Sequence, residues 1–307
     1  MSKPHPVDPP VPPPAGAPRL DSPAALEKAL AHTYVADPRT ALAAWLALEL
    51  RRPLLLEGPA GVGKTDLARA LAETLGRPLV RLQCYEGLDE AKALYEWDYA
   101  KQMLYAQVLR ETGKATGDDA LGSFFSKRFL IPRPLLTALE SPTPAVLLVD
   151  EVDRADPEFE AFLLEILAES QVTIPEIGTI TAAHPPLVIL TTNATRDMTD
   201  ALRRRCLHAF LDYPPPSREL EILELRVPGI AKDLAAALVR FVHAVRALDL
   251  RKAPSIAETI DWARALILLG ASALDKELVS TTLGALLKYE EDRRKVESQA
   301  AALLAKP

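Results

Sequence analysis

One short segment of the chain combines glycines, a lysine and a hydroxyl group at the spacing of a phosphate-binding loop. Residues 58–65, Gly-Pro-Ala-Gly-Val-Gly-Lys-Thr, fit the pattern G-x-x-x-x-G-K-[ST]. In this pattern backbone N–H groups surround the phosphates, the lysine (Lys64) contacts the β- and γ-phosphates, and the hydroxyl (Thr65) binds Mg²⁺. We therefore predict that the cofactors are ATP and Mg²⁺. The predicted ATP-binding residues are Gly58, Pro59, Ala60, Gly61, Val62, Gly63, Lys64, Thr65 and Asp66.

Two adjacent carboxylates end an apolar run later in the chain. Residues 145–149 are Ala-Val-Leu-Leu-Val, and Asp150 and Glu151 follow directly. A carboxylate at the carboxyl end of a parallel strand lies beside the phosphate-binding loop. Asp150 is therefore predicted to hold Mg²⁺ with Thr65, and Glu151 to act as the general base for an attacking water. The alternative is that these carboxylates cap a helix that starts a few residues later.

These residues need a sheet to position them, and the sequence around them predicts one. Short apolar runs alternate with two segments of helical periodicity. The first covers residues 22–49, with Ser22 as its N-cap, and the second covers residues 65–75 and ends at Gly76. Strands that alternate with helices are typical of a parallel sheet, so we predict an α/β core. The predicted strands cover residues 53–56, 79–82, 145–149 and 187–190.

A cluster of prolines at residues 214–216 marks a change in pattern, because no strand is predicted after it. The later segments have helical spacing and predict a small all-α domain. Residues 1–18 contain eight prolines and are predicted to be extended or disordered, as a loose terminus or as a PxxP ligand for a partner. The predicted helices are residues 233–248, 256–269 and 276–304. The predicted domains are a Pro-rich tail (1–20), an α/β nucleotide-binding domain (21–215) and a helical lid (216–307).

Composition excludes several classes of protein. The chain has 307 residues, of which 49% are apolar and 25% charged, as in ordinary globular proteins. The net charge of −6 gives no overall basic footprint, so no nucleic-acid partner is expected. Two cysteines far apart favour a reducing compartment, and no apolar run is long enough to cross a membrane. We therefore expect a cytoplasmic protein.

Together, the motifs resemble those of the AAA+ ATPases, and in particular of the MoxR family. The phosphate-binding loop, the Leu-Leu-Val-Asp-Glu stretch that ends at Glu151 and the Leu-Thr-Thr-Asn stretch that ends at Asn193 carry this resemblance. Residues 83–90, 95–97 and 201–206 are similar to the CoxD kind of MoxR protein, which matures carbon monoxide dehydrogenase and related molybdenum hydroxylases. The resemblance implies a P-loop NTPase core with an insert in its second helix, a β-hairpin before the first sensor, and a helical lid.

The resemblance also implies roles for residues outside the phosphate-binding loop. Asn193 stands where the family has a polar sensor, and its amide would contact the attacking water or the γ-phosphate. Arg205, or else Arg204, would be the arginine finger offered to the nucleotide of a neighbouring subunit. The alternative is a solvated basic helix end. Glu151, Asn193, Arg205 and Arg204 are thus the predicted catalytic residues.

Two further segments carry expectations of their own. Apolar residues alternate within residues 171–183, which predicts a β-hairpin, and the resemblance implies that it faces a central pore. Residues 85–130 match the place of the family's insert, and their aromatic residues either pack in a local core or contact a partner. Serine stands at position 255 where relatives carry a lid arginine, so Arg251 or Lys252 would have to replace it.

The resemblance predicts an ATP-driven remodelling chaperone. We expect a ring of six subunits. It would act on an apo-metalloenzyme client through a partner with a von Willebrand factor A (VWA) domain. One alternative is a nucleic-acid motor of the same superfamily, against which the acidic net charge argues. A second alternative is a nucleotide-gated assembly factor like the gas-vesicle ATPases, which resemble the same family.

Overall fold

Five parallel strands form the central sheet of the molecule. The computed structural model describes residues 20–111 and 124–305. Strands β1 (Leu54–Glu57), β2 (Leu79–Gln83), β5 (Val146–Asp150), β8 (Leu187–Thr192) and β9 (Leu207–Phe210) make up this sheet. Their order is β2-β5-β8-β1-β9, so β5, β8 and β1 lie in its interior. The order brings the carboxyl ends of β1, β5 and β8 to one edge, where ligands bind in such sheets.

The inner strands are apolar because both faces of the sheet are covered. Leu54 and Leu56 on β1 pack into one buried cluster, and Leu55 between them packs into the other. The first cluster also contains helices α1 (Pro23–Leu30), α2 (Pro38–Glu49) and α3 (Lys64–Thr74), and the helices that follow β9. The second cluster contains helices α6 (Pro134–Leu139) and α7 (Pro157–Glu169).

A small excursion of the chain lies between β2 and β5. It contains α4 (Glu90–Leu94), β3 (Tyr95–Trp97), α5 (Tyr99–Glu111), a 3₁₀ turn (Lys127–Phe129) and β4 (Leu130–Pro132). Strands β3 and β4 pair antiparallel. The rings of Tyr95, Trp97 and Tyr105 all contact other aromatic rings within this excursion, whereas the Tyr99 side chain is largely exposed. Three of these four rings therefore pack against other rings, as expected if these aromatic residues form a local core.

The predicted hairpin at residues 171–183 is confirmed. Strands β6 (Gln171–Ile174) and β7 (Gly178–Thr181) pair antiparallel, with Ile174 opposite Gly178. Val172, Ile174 and Ile180 are buried, while Thr173 and Thr179 face the other side and share a hydrogen bond. The alternation therefore comes from one face packed on α7 and one face in solvent.

After β9, the regular elements of the described residues are all helices. Helix α8 (Asp200–Arg205) precedes β9, and helices α9 to α13 follow it. Trp262 is fully buried in this part; its ring packs against that of Phe241 in a tilted arrangement with centroids 5.5 Å apart, and its ring nitrogen donates to Thr282 at 2.8 Å. The bounds are α9 (Pro216–Arg226), α10 (Lys232–Arg246), α11 (Ile256–Leu268), α12 (Lys276–Leu286) and α13 (Glu290–Leu304). Within the described residues no helix is long and apolar enough to cross a membrane.

Three predictions of local structure were wrong in detail. Residues 22–49 form two helices instead of one, because Asp37 accepts hydrogen bonds from the N–H groups of the turn that follows and Pro38 begins a new helix. Residues 276–304 likewise divide into α12 and α13. Strand β9 was not predicted, since four residues at a sheet edge carry little periodic signal. Residues 1–19 of the predicted tail and residues 112–123 of the predicted insert lie outside the described residues.

Candidate active site

The phosphate-binding loop connects the carboxyl end of β1 to helix α3. Gly63 has a left-handed φ of 100° and serves as the N-cap of α3 without a side chain to cap it, so the first amides of the helix stay free to bind an anion. A Cβ atom at Gly58 would lie 1.9 Å from the carbonyl oxygen of Leu211. At Gly61 it would lie 2.4 Å from the hydroxyl of Ser255. Glycine is therefore required where the loop contacts the chain after β9.

Lys64 is held at the centre of the site. Its ammonium group donates to the carbonyls of Gly58 and Pro59 at 2.6 and 2.7 Å and to Oδ1 of Asn193 at 2.9 Å, and the residue is only 6% exposed. Burial lowers the pKa of Lys64, and the nearby carboxylates of Asp153 and Asp150 oppose that shift. The structure thus joins the loop to the strand end that carries Asn193.

Asp150 presents oxygen ligands together with Thr65. The Asp150 carboxylate, 3% exposed, accepts from the hydroxyls of Thr65 at 3.0 Å and Thr191 at 2.6 Å. It also accepts from the Arg81 guanidinium at 2.6 Å. A carboxylate and a hydroxyl beside a phosphate-binding loop are hard oxygen donors, and this set fits Mg²⁺, which binds through one or two carboxylates plus phosphates and water.

Glu151 stands beside Asp150 in an uncommon backbone conformation. Its φ is 56°, in the left-handed region that non-glycine residues rarely adopt, and its N–H donates to the Thr191 hydroxyl at 2.9 Å. Its carboxylate accepts from Gln83 at 3.0 Å and from Asn193 at 3.4 Å, and pairs with Arg154 at 3.1 Å. The side chain therefore reaches into the site while three neighbours restrain it.

Asp153 positions the segment that carries Asn193. Its Oδ2 accepts from the N–H groups of Asn193 and Thr195 at 3.2 and 3.0 Å, and from the Thr195 hydroxyl at 2.6 Å. Burial raises the pKa of Asp153, but these hydrogen bonds outweigh burial and hold that pKa below its ordinary value. Sequence reasoning gave Asp153 no role in the site, because its role depends on a contact 40 residues away.

A cleft of about 370 Å³ joins these groups to the helical part of the chain. One end is lined by Lys64, Thr65, Asp150 and Asn193, and the other end by apolar residues of α9 and α11 together with the segment before α2. This division suits a ligand with a flat ring at one end and phosphates at the other. The apolar end consists of Tyr34, Val35, Ile222, Ile256 and Ile260.

The predicted arginine fingers do not line this cleft. Arg203 pairs with Glu57 at 3.3 Å, whereas Arg204 and Arg205 have exposed side chains for which the described residues offer no hydrogen bond or ion pair. Their backbone carbonyls accept from Arg52 and so hold the end of α8 against the sheet. Both guanidinium groups are thus free to meet another molecule.

The proposed substitutes for a lid arginine also lie outside the cleft. The Arg251 guanidinium stacks on the Tyr289 ring at 4.1 Å, and the backbone N–H groups of Arg251 and Lys252 both donate to Asp292. Two other cations from the helical part line the cleft instead, Arg226 on α9 and Arg264 on α11. Neither belongs to a motif, so sequence reasoning missed them.

Ser255, which stands where the resemblance implies a lid arginine, contacts the phosphate-binding loop and its own helix. Its side chain caps α11 in a reciprocal pair with Glu258, and it touches Gly61 of the phosphate-binding loop. Sequence reasoning also missed Arg81, Gln83 and Thr191, although Gln83 and Thr191 lie where strands end, as Asp150 does. Their position as polar residues at the ends of strands was the signal that could have identified Gln83 and Thr191.

Comparison with known proteins agrees with this geometry. Residues 53–206 match the family model described as AAA domain, dynein-related subfamily. Protein NorQ of Paracoccus denitrificans is 26% identical over 261 residues, 82% of this chain and 86% of that protein. Gas vesicle ATPase GvpN of Ancylobacter aquaticus is 27% identical, over 71% of this chain and 61% of that protein. Protein MoxR of Methylorubrum extorquens is 29% identical, over 50% of this chain and 37% of that protein.

Proposed function

The chain belongs to the AAA domain family, in its dynein-related subfamily, and on this basis we propose that it is an ATP hydrolase of the MoxR kind that remodels a protein partner. The observation that carries the proposal is the meeting of three separate segments at one edge of the sheet. Lys64 contacts Asn193 at 2.9 Å, Thr65 contacts Asp150 at 3.0 Å, and Asn193 contacts Glu151 at 3.4 Å.

Each of these residues has a role that follows from its contacts. The free amides at the start of α3 and the Lys64 ammonium bind the phosphate oxygens of ATP. Thr65 and Asp150 would hold Mg²⁺, which would supply positive charge to neutralise those oxygens. Glu151 accepts a proton from the attacking water, and the Asn193 amide orients that water. Asp66 lines the same cleft one residue after Thr65.

The proposed partners rest on similarity. The chain is similar to Protein NorQ and Protein MoxR, and its motifs resemble the CoxD kind. We propose that the ATPase acts in the cytoplasm as a ring of six subunits, in which Arg205 or Arg204 completes the site of a neighbouring subunit. The client in this proposal is an apo-metalloenzyme of the molybdenum hydroxylase type, reached through a VWA-domain protein.

A second candidate function is a nucleotide-gated assembly factor. The similarity to the gas vesicle ATPase GvpN favours it, and so does the absence of arginine at position 255. Such a protein would bind ATP tightly and hydrolyse it slowly. The rate of phosphate release at saturating ATP separates the two candidates.

The first experiment compares phosphate release and binding of a fluorescent ATP analogue among variants. Glu151→Gln should retain binding and lose turnover by about 10²–10⁴-fold, the usual contribution of a general base. Lys64→Ala should lose binding itself. The matched control is Glu165→Gln, an exposed carboxylate on α7, which should behave like the wild type. Full turnover by Glu151→Gln would place the general base elsewhere.

The second experiment identifies the partner. Glu151→Gln with ATP, expressed in the native host and captured by affinity, should retain the ATP-bound complex because turnover is blocked. Recovery of a VWA-domain protein with a molybdenum hydroxylase supports the proposed client. Recovery of nucleic acid or of structural shell proteins would keep the ATPase chemistry and replace the proposed role.

A further inference from the structure

Arg81 is a cation that no motif contains, and its guanidinium contacts the Asp150 carboxylate. It stands in the middle of β2, and its side chain, 43% exposed, lines the cleft. Nε and Nη2 of Arg81 both donate to Oδ2 of Asp150, at 3.0 and 2.6 Å. Two donors on one carboxylate oxygen make a strong, charge-assisted contact.

The charge balance at Asp150 depends on this contact. Thr65 and Thr191, the other side chains that donate to the Asp150 carboxylate, are neutral hydroxyls. Within residues 20–111 and 124–305, Arg81 makes the one ion pair of Asp150. A buried carboxylate without a positive partner is costly, so Arg81 stabilises the site when no cation is bound.

Arg81 and a metal ion at Asp150 would both draw on the negative charge of one carboxylate. The hydroxyls of Thr65 and Thr191 lie closest to Oδ1, whereas the Arg81 guanidinium occupies Oδ2. A divalent cation held by Asp150 and Thr65 would repel a guanidinium at this distance and compete with it for the carboxylate. Binding of the metal therefore weakens the contact between Arg81 and Asp150.

Gln83 keeps Arg81 in this position. Nη2 of Arg81 also donates to Oε1 of Gln83, two residues further along β2. With Oε1 turned to Arg81, the Gln83 amide nitrogen faces Glu151, to which it donates at 3.0 Å. One side chain thus contacts both the arginine and the proposed general base.

We propose that Arg81 is a positioning residue that takes the place of the metal ion at Asp150 whenever Mg²⁺ is absent, and that Gln83 holds it there. The proposal rests on the proposed function, because it requires that nucleotide and Mg²⁺ bind in this cleft. Arg81 then sets how strongly nucleotide binding depends on Mg²⁺. Without Arg81, the nucleotide phosphates would meet an uncompensated carboxylate, while Mg²⁺ would meet no competitor.

The test measures the dissociation constant of fluorescent mant-ADP in EDTA and in excess Mg²⁺, on the full chain. The dissociation constant in EDTA divided by that in Mg²⁺ reports how strongly nucleotide binding depends on the metal. Its measurement involves no turnover. Arg81→Ala should raise this ratio about tenfold, the scale of one charge-assisted contact. Arg81→Lys keeps the charge and should recover most of the wild-type ratio. The matched control is Arg133→Ala, which breaks an exposed pair with Glu96 on the β3–β4 ribbon and should leave the ratio unchanged.

A double-mutant cycle tests the part played by Gln83. Gln83→Ala should raise the ratio in the wild-type background, because Arg81 then competes less well with Mg²⁺. In the Arg81→Ala background the same change should have no further effect. If the two effects multiply instead, Gln83 does not act through Arg81, and that half of the proposal fails.

The outcomes separate this proposal from the one on which it rests. If the wild type binds mant-ADP and Arg81→Ala leaves the ratio within twofold, Arg81 does not stand in for the metal, and the proposed function survives. If the wild type binds no mant-ADP in either buffer, both proposals fail. Arg81→Gln decides the question where Arg81→Ala folds poorly, because it keeps a long polar side chain without the charge and should raise the ratio as Arg81→Ala does, whereas a wild-type ratio in a folded Arg81→Gln protein would overturn the proposal.

Discussion

At the scale of single residues, the site is held by two buried carboxylates that each accept several hydrogen bonds. Asp150 and Asp153 follow or lie near the end of the same strand, yet they serve different neighbours. Asp150 contacts Thr65 of the phosphate-binding loop, and Asp153 contacts the backbone of Asn193 and Thr195. One strand end therefore orders both the proposed metal site and the proposed sensor.

Asp153 makes stability depend on pH in a defined direction. Its folded-state pKa lies below the ordinary value of 3.8, so its contribution is complete above that value and is lost as pH falls through the lower, folded-state pKa. Asp153→Asn should lower the free energy of unfolding at pH 7 by about 1–2 kcal/mol, since hydrogen bonds to a charged acceptor are removed. Below about pH 4 the difference from the wild type should shrink.

Urea unfolding at pH 7 and at several values below pH 4 measures this difference. Asp156→Asn is the control, because Asp156 is exposed and its side chain makes no capping hydrogen bond. A difference that stays constant as the pH falls would mean that the Asp153 carboxylate is not the group that titrates. It would also mean that the charge of the Asp153 carboxylate does not hold the Asn193 segment in place.

At the scale of elements, a buried ion pair joins helix α7 to the segment that leads into α8. Glu160 on α7 is 0% exposed, and it accepts from the Arg196 guanidinium and from the N–H of Thr199 at 2.8 Å. Arg196 also donates to the carbonyl of Ala155 at 2.7 Å. These bonds fix the start of α8, and α8 carries the arginines at residues 203–205.

Removing this carboxylate should destabilise the protein markedly. We expect Glu160→Ala to cost about 2–4 kcal/mol, toward the lower end of what a broken buried pair costs, because Arg196 remains partly exposed. Glu140→Ala, which breaks an exposed pair with Lys127, should cost below about 1 kcal/mol. Chemical denaturation of both variants measures the difference. Equal losses would show that burial of Glu160 adds nothing to its pair.

At the scale of the whole molecule, the exposed guanidinium groups of Arg204 and Arg205 suit contact between subunits. Arg205→Ala should abolish hydrolysis and leave nucleotide binding intact, because the residue lies outside its own cleft. Mixing Arg205→Ala with Lys64→Ala subunits should restore part of the activity, since some sites then combine an intact loop with an intact arginine. Phosphate release as a function of mixing ratio measures it.

The mixing experiment has a clear contrary outcome. Activity that never exceeds the sum of the two variants measured separately would exclude Arg205 as an arginine supplied by a neighbour. Arg204→Ala with the same Lys64→Ala partner then tests the second candidate. Arg128→Ala, an arginine stacked on Tyr105 in the excursion between β2 and β5, serves as a control that should hydrolyse ATP normally.

We also propose that the chain divides into an α/β domain (21–215) and a helical lid (216–307). The last strand ends at Phe210, and residues 216–226 begin the helical part. Arg246 in this part stacks on Tyr213 of the connecting segment at 4.7 Å and pairs with buried Glu219. Nucleotide binding in the cleft between the two parts would then set their relative position.

Local features of this protein follow from its sequence alone. The phosphate-binding loop, the apolar strands that end in Asp150 and Asn193, and the hairpin at residues 171–183 were all predicted, because each depends on neighbours within a few residues. The α/β class followed from the order of these elements, and the five-stranded parallel sheet confirms it. Strand β9 and the break before α2 were missed, since a sheet edge and a cap interrupt a periodic pattern only briefly.

Contacts across the sheet depend on strand order, which no local pattern encodes. Lys64 and Asn193 lie 129 residues apart in the sequence, and Arg81 and Asp150 lie 69 apart. Arg81 is an unremarkable residue of a short strand until β2 pairs with β5 and turns its guanidinium toward a buried carboxylate. Motifs identified the groups that we propose do the chemistry, whereas the tertiary structure determined which cations and amides restrain them, because those residues act only through distance and burial.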